Sequence, residues 1–190
     1  LGVKFRADIP GFITGIRYYR SLNNSGTHTG SLWTLAGDRL ATATFTNETA
    51  TGWQEVLFET PVAITANTVY VASYHTNVGH YAVTPNYFAS AGVHSPPLHA
   101  PPSTEVGGNG VFAAGGSTYP SSTFHAGNYL LDVVFSTSNS DLTPPEITNI
   151  VQTTIDGSKV EITWDTDELA TSKIEYSTSV NYPASETSTI

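Results

Sequence analysis

The sequence predicts an all-β protein, in which residues 1–136 form a jelly-roll-like antiparallel β-sandwich and the remaining residues begin a second, shorter β domain. Three observations predict this fold class. Short runs of β-branched and aromatic residues recur along the chain, Gly, Pro and Asn separate them, and no long window shows the period of a helix. About eight to ten short strands with regular turns favour a sandwich.

The strands of the first domain are expected to follow one another through short turns. In the second of them Phe12, Ile16 and Tyr18 share one parity, which makes one face the more apolar. Pro61 marks the start of a strand or a broken edge, because proline cannot donate to a sheet ladder. The predicted strands cover 1–7, 12–20, 31–35, 40–45, 53–59, 69–75, 80–84 and 129–136.

The stretch 85–126 is different in kind, since it carries most of the prolines together with several closely spaced glycines. It is predicted to be a long loop region. Loops of more than about 12–15 residues are usually functional or disordered, so this one is a candidate part of a binding surface. A polar bridge follows the last strand, which predicts a first domain at 1–136, a linker at 137–145 and a second domain at 146–190.

Three motifs mark the second domain: Thr143-Pro144-Pro145, the alternating strand Val160-x-Ile162-x-Trp164, and Lys173-x-Glu175-Tyr176-Ser177. In these motifs it resembles the beginning of a fibronectin type III domain, an immunoglobulin-like β-sandwich. Strands are expected at 151–154, 159–164 and 171–176. Such a domain has seven strands and about 90–100 residues, so this one would be partial.

Composition and charge exclude several classes of partner and site. The formal net charge of −9 repels nucleic-acid phosphates and anionic membranes, and no run of about 18 apolar residues could span a bilayer. The absence of cysteine excludes disulfides, thiol nucleophiles and cysteine-based metal sites. Only 12% of the residues are charged, and this polar, Thr-rich surface favours a secreted or cell-surface protein.

The first domain carries a set of motifs spread over almost its whole length: Leu1-Gly2-Val3-Lys4-Phe5, Gly15-Ile16-Arg17-Tyr18-Tyr19, Gly26-Thr27-His28-Thr29-Gly30-Ser31-Leu32-Trp33, Gly52-Trp53-Gln54, Tyr70-Val71-Ala72-Ser73-Tyr74-His75, Gly79-His80-Tyr81 and Tyr129-Leu130-Leu131-Asp132-Val133-Val134-Phe135. In these motifs residues 1–136 resemble a bacterial family that is labelled a domain of unknown function, family 4082, and that is found repeated in large secreted multidomain proteins. The resemblance implies a β-sandwich and an extracellular setting beside other domains of the same chain, with carbohydrate nearby. It supplies no established activity and no catalytic residues.

The most unusual local feature is Tyr74-His75 followed by His80-Tyr81, separated by four residues that could form a hairpin turn. The two imidazoles would then lie close together. His28 could supply a third nitrogen, and three neutral imidazoles make a common open site for Zn or Cu. The alternative is that these side chains bond to backbone groups at a loop rim, which requires no metal ion and no other cofactor.

Aromatic side chains offer a second kind of site, because the C–H face of a sugar packs on an aromatic ring while its hydroxyls bond to polar neighbours. The strand positions of Trp33 and Trp53 favour a place in the core. The aromatic residues that border loops are better candidates for exposure: Tyr74, Tyr81, Tyr87 and Phe88.

Catalytic machinery is not evident. The carboxylates are scattered, so no pair of the kind a glycosidase needs can be assigned, and no Gly-x-Ser-x-Gly elbow, Walker loop or His-Glu-x-x-His motif occurs. Asp132 lies in an apolar strand, where it either points outward or pairs with Arg17 or a loop amide.

The sequence therefore favours a noncatalytic extracellular module that binds polysaccharide or a cell-surface glycan, or acts in adhesion. The expected ligand-binding residues are His28, Tyr74, His75, His80, Tyr81 and Tyr87. Two alternatives remain: a spacer without a ligand, and a metal-binding or metal-dependent enzyme domain built on His28, His75 and His80.

Overall fold

A computed structural model of the chain describes residues 1–138, 146–156, 159–166, 174–175 and 187–188. The chain divides into two compact units, Leu1–Ser140 and Asp141–Ile190. Within the described residues the only helix is a single turn, α1 (Ser103–Val106), and antiparallel strands make up the rest of the regular structure. The predicted all-β sandwich is confirmed.

Two sheets form the first unit. Its strands in chain order are β1 (Gly2–Ala7), β2 (Gly11–Arg20), β3 (His28–Thr34), β4 (Arg39–Thr44), β5 (Gly52–Ile64), β6 (Tyr70–Thr76), β7 (Val93–Ser95), β8 (Leu98–Ala100), β9 (Val111–Phe112), β10 (Ser122–Thr123) and β11 (Leu131–Ser136). The larger sheet has the order β10-β9-β1-β6-β3-β4, and the hairpin of β7 and β8 joins it through β1. The smaller sheet has the order β11-β2-β5.

The main core lies between the inner faces of these two sheets. On β2, Ile13, Ile16 and Tyr18 are fully buried, whereas Phe12 is only half-buried. The prediction that Phe12 shares the face of Ile16 and Tyr18 is therefore wrong. The ladder between β2 and β5 shifts register between Ile13 and Gly15, and this irregularity reverses the alternation.

A second, smaller apolar cluster covers the other face of the larger sheet. Trp33 and Val71 pack there against Val111, and the ring of Tyr119 meets that of Trp33 edge-on with a centroid distance of 5.8 Å. The indole N–H of Trp33 donates to Ser73 Oγ at 2.7 Å. The sheet is thus covered on both faces at this point, and the predicted core position of Trp33 is confirmed.

The segment 85–126 is more ordered than a long loop, because it contains β7 to β10 and α1. Its anchor is Asn109, whose side chain is fully buried. The amide oxygen of Asn109 accepts from the N–H groups of Lys4 and Gly110, and its amide nitrogen donates to the carbonyls of Lys4 and Pro101, at 2.7–2.9 Å. Asn109 thereby pairs with β1 as a strand residue would.

The predicted strand at 80–84 is wrong: only Thr84 pairs, in an isolated bridge to Asn128. The reason is topological. β6 is already paired with β1 on one side and with β3 on the other, so the residues that follow it have no free edge for a hairpin. Pro61 lies inside β5, which is an edge strand of the smaller sheet, as a proline within a sheet requires.

The second unit contains an antiparallel hairpin of β12 (Ile147–Asp156) and β13 (Lys159–Thr166), and a short pair of β14 (Ile174–Glu175) and β15 (Thr187–Ser188). Most of the predicted linker and most of the predicted strand 171–176 lie outside the described residues. The fibronectin-like identity of this unit stays a prediction.

Candidate functional site

Two of the predicted site residues, His28 and Tyr74, lie in the core. His28 Nδ1 is 2.8 Å from one carboxylate oxygen of Glu48, and the hydroxyl of Tyr18 donates to the other. The ring of Tyr74 stacks on that of Tyr18 with a centroid distance of 4.4 Å. Burial raises the pKa of both tyrosines above the ordinary value, and for Tyr18 the bond to Glu48 adds to this effect. The predicted exposure of Tyr74 is therefore wrong, because its place on the inner face of β6 points it into the sandwich.

The three histidines of the predicted metal site do not come together. His28 pairs with Thr76 across the ladder from β3 to β6 and faces inward, whereas His75 directly precedes Thr76 on β6 and faces the opposite side. His80 is exposed beyond the end of β6. Among the described residues no group of three or more His, Asp or Glu side chains could hold a metal ion. The site built on these three histidines is thus wrong.

His75 and Tyr81 contribute to a first cavity of about 450 Å³. Tyr81 is about half exposed and meets the buried ring of Tyr129 edge-on at 5.6 Å. Burial lowers the pKa of His75, which favours its neutral form at this cavity. Phe112, Phe124 and Tyr129 add three more aromatic rings to the lining, and most of its other residues are small.

A second cavity of about 390 Å³ combines aromatic rings with polar side chains in its lining. Two aromatic residues that line it are nearly half exposed, Trp53 at 47% and Tyr87 at 45%. Asp132, Asn128 and His99 supply polar groups to the same lining. The cavity therefore offers flat apolar surfaces beside hydrogen-bonding groups.

The position of Trp53 follows from the smaller sheet, whose outer face carries it. Its ladder partner Tyr19 packs edge-on against the indole at 6.0 Å, and the guanidinium carbon of Arg17 lies 5.5 Å from the indole centroid. Arg17 Nε is 3.3 Å from a carboxylate oxygen of Glu55 on one side, and Asp132 is its ladder partner on the other. These neighbours hold the indole at the surface while leaving nearly half of it exposed.

The core position predicted for Trp53 is therefore wrong, and a signal in the sequence could have shown it. Trp53 shares its parity along β5 with Glu55 and Glu59, both charged and exposed, whereas the buried Gln54 and Phe58 have the other parity. Two carboxylates on one face of a strand indicate the solvent side.

Asp132 points outward, which is one of the two orientations that the alternation of its strand allowed. One of its carboxylate oxygens accepts the N–H of Val133 at 2.8 Å. It is the only carboxylate among the described residues that line the second cavity. A glycosidase needs two carboxyl groups that face the same bond, and the described lining of this cavity supplies one.

His99 is held on β8 through both of its ring nitrogens. Nε2 lies 2.6 Å from a carboxylate oxygen of Asp8, and Nδ1 lies 2.8 Å from Nδ1 of His94. Ser95 lines the same cavity, but in this arrangement His99 has no free nitrogen with which to accept a serine proton. The trio of Ser95, His99 and Asp8 is thus not arranged as a nucleophilic triad.

Comparison with known proteins identifies a family for the first unit. A family model described as "Domain of unknown function (DUF4082)" matches residues 1–131, which span most of the first unit. No curated protein matches the chain. In the described part of the chain no helix is long and apolar enough to cross a membrane.

Proposed function

The chain belongs to the family described as domain of unknown function (DUF4082), and we propose that its first unit is a noncatalytic carbohydrate-binding module whose site is the cavity beside Trp53. The observation that carries this proposal is that Trp53 and Tyr87, each nearly half exposed, line one cavity together with Asp132, Asn128 and His99.

Sugar recognition needs both of the surfaces that this cavity offers. The C–H face of a pyranose packs on an aromatic ring, and its ring of hydroxyls requires donors and acceptors at the edge of that contact. The indole of Trp53 is held by Tyr19 and Arg17, so little conformational entropy would be lost when a sugar stacks on it. Asp132 would accept hydroxyl bonds, and the Asn128 side chain could both donate and accept.

The charges of the cavity and of the whole chain limit the class of glycan that is expected to bind. The described lining of the cavity contains no Lys or Arg, Asp132 is negative, and the whole chain carries a formal net charge of −9. Arg17 beside the indole of Trp53 is paired with Glu55, so an acidic polysaccharide would still approach a surface with a net negative charge. Neutral polysaccharides outside the cell are therefore the expected ligands, in keeping with the surface poor in charged residues.

The test is affinity gel electrophoresis of the full chain in gels that contain β-glucan, xylan, galactomannan or polygalacturonate. Retardation is expected in at least one neutral gel and not in polygalacturonate. Trp53→Ala and Tyr87→Ala should each weaken binding by about tenfold or more, as aromatic residues at the centre of an interface do.

Tyr81→Ala is the matched control, because Tyr81 is exposed to the same extent but lines the first cavity. If Tyr81→Ala abolishes retardation and Trp53→Ala does not, the site has been assigned to the wrong cavity. If no polysaccharide retards the wild-type chain and a glycan array is also silent, the spacer alternative replaces the proposal.

A further inference from the structure

The hairpin of β7 and β8 carries two neighbouring histidines, His94 and His99, of which His99 also lines the second cavity. His94 and His99 are directly opposite each other in its ladder, so their side chains lie on the same face. Their Nδ1 atoms are 2.8 Å apart. From this geometry we propose that His94 and His99 form a surface site for a borderline divalent metal ion, for which Cu²⁺ is the preferred occupant.

The separation of the two nitrogens fits a shared metal. Imidazole nitrogens bind Zn or Cu at about 2.0–2.1 Å, so two of them at an angle of about 90–110° are about 2.8–3.4 Å apart. The observed 2.8 Å corresponds to the right angle that two neighbouring ligands make in a tetragonal Cu²⁺ complex. Cu²⁺ also forms the most stable complexes of the first-row divalent ions with nitrogen ligands.

Asp8 gives this pair the partner that metal-binding histidines usually have. Its carboxylate oxygen is 2.6 Å from His99 Nε2, so Nε2 carries the proton and Nδ1 is left with its lone pair toward His94. A carboxylate in this position fixes the ring and makes it a stronger ligand.

The surrounding charges favour a cation. Arg6 is the ladder partner of His99 on β1, and its guanidinium is paired with Glu105. With Arg6 paired in this way, the carboxylate of Asp8 is the charged group in direct contact with the imidazole pair. Two protein ligands leave the other coordination positions to water, since no group of three or more ligating side chains exists among the described residues. A moderate, exchangeable affinity is expected.

The test is isothermal titration calorimetry of the untagged full chain with CuCl₂ in a non-coordinating buffer. No glycan is present, so the result tests the metal site independently of carbohydrate binding. One saturable site is expected, and the double variant His94→Gln/His99→Gln should lose it. Asp8→Asn keeps both ligands and should weaken binding by about 10–100-fold. The double variant His80→Gln/His125→Gln removes two exposed histidines elsewhere and should bind as the wild type does.

Circular dichroism of every variant checks that it is folded, and Asp8→Asn tests the proposal even if the first double variant is not. Wild-type protein that binds no Cu²⁺, or that binds it as the folded His94→Gln/His99→Gln variant does, would show that the two nitrogens share only a proton. Loss of binding in His80→Gln/His125→Gln would place the site elsewhere and overturn the assignment.

Discussion

Replacing Asn109 by alanine should cost the first unit a large part of its stability. The side chain is fully buried and makes hydrogen bonds to the N–H and C=O of Lys4, to the C=O of Pro101 and to the N–H of Gly110. Alanine would remove all four of these hydrogen bonds from buried or partly buried backbone groups. The substitution therefore tests whether one side chain fastens the segment 85–126 to β1.

The expected magnitude follows from the number of bonds. Each buried hydrogen bond contributes about 1 kcal/mol net, so the loss of four should lower the free energy of unfolding by about 4 kcal/mol. In a unit of this size that corresponds to a fall in Tm of roughly 10 °C. Asn109→Asp should be no better, because an anion would then face the carbonyls of Lys4 and Pro101.

Urea denaturation followed by circular dichroism gives the free energy of unfolding, and hydrogen exchange shows where order is lost. Protection should fall first at β1 and along 101–112. Asn23→Ala, at an exposed turn position, is the control and should stay within about 0.5 kcal/mol of the wild type. A loss below about 1 kcal/mol for Asn109→Ala would refute the anchoring role.

Two further predictions concern the core. Glu48→Ala removes the carboxylate from two buried partners and should lower the free energy of unfolding by about 3–5 kcal/mol. Glu55→Ala breaks an exposed ion pair and should lower it by less than about 1 kcal/mol. Equal losses in thermal or chemical unfolding would contradict the buried role of Glu48. Gly15→Ala places a Cβ in steric conflict with the carbonyl oxygen of Val56 and should destabilise the first unit by about 1–3 kcal/mol, whereas Gly116→Ala enters open space and should be neutral. Differential scanning calorimetry that finds the two variants alike would disprove the close approach.

Much of the sandwich could be predicted from the sequence because its strands alternate. β1, β5 and β11 each overlap a predicted strand, since a buried face with a period of two residues is a local property. The sequence prediction failed where the pairing of strands, and not the alternation of side chains, determines the structure. The residues 80–84 have strand composition but no free edge to pair with, and the irregularity near Gly15 changed which residues of β2 are buried.

The candidate site could be predicted only in part from the sequence. Tyr87 was expected at a binding surface and lines the second cavity, and the parity of Trp53 with Glu55 could have placed it there as well. The contribution of His99 could not be foreseen, because it depends on the pairing of β8 with β1 and on the contact with Asp8, which is 91 residues away in sequence. Such contacts are a property of the topology.

The carboxylate of Glu48, buried between Tyr18 and His28, has a consequence for how the strands align during folding. A slip of β3 by two residues against β6 would keep every apolar side chain on its own face, so hydrophobic burial alone distinguishes the two registers poorly. That slip moves a strand by about 7 Å. It would carry His28 out of reach of Glu48 and deprive the buried carboxylate of one of its two hydrogen bonds, at a cost of about 1.5–3 kcal/mol. The buried acid thereby selects one register among alternatives that the apolar pattern treats as equivalent.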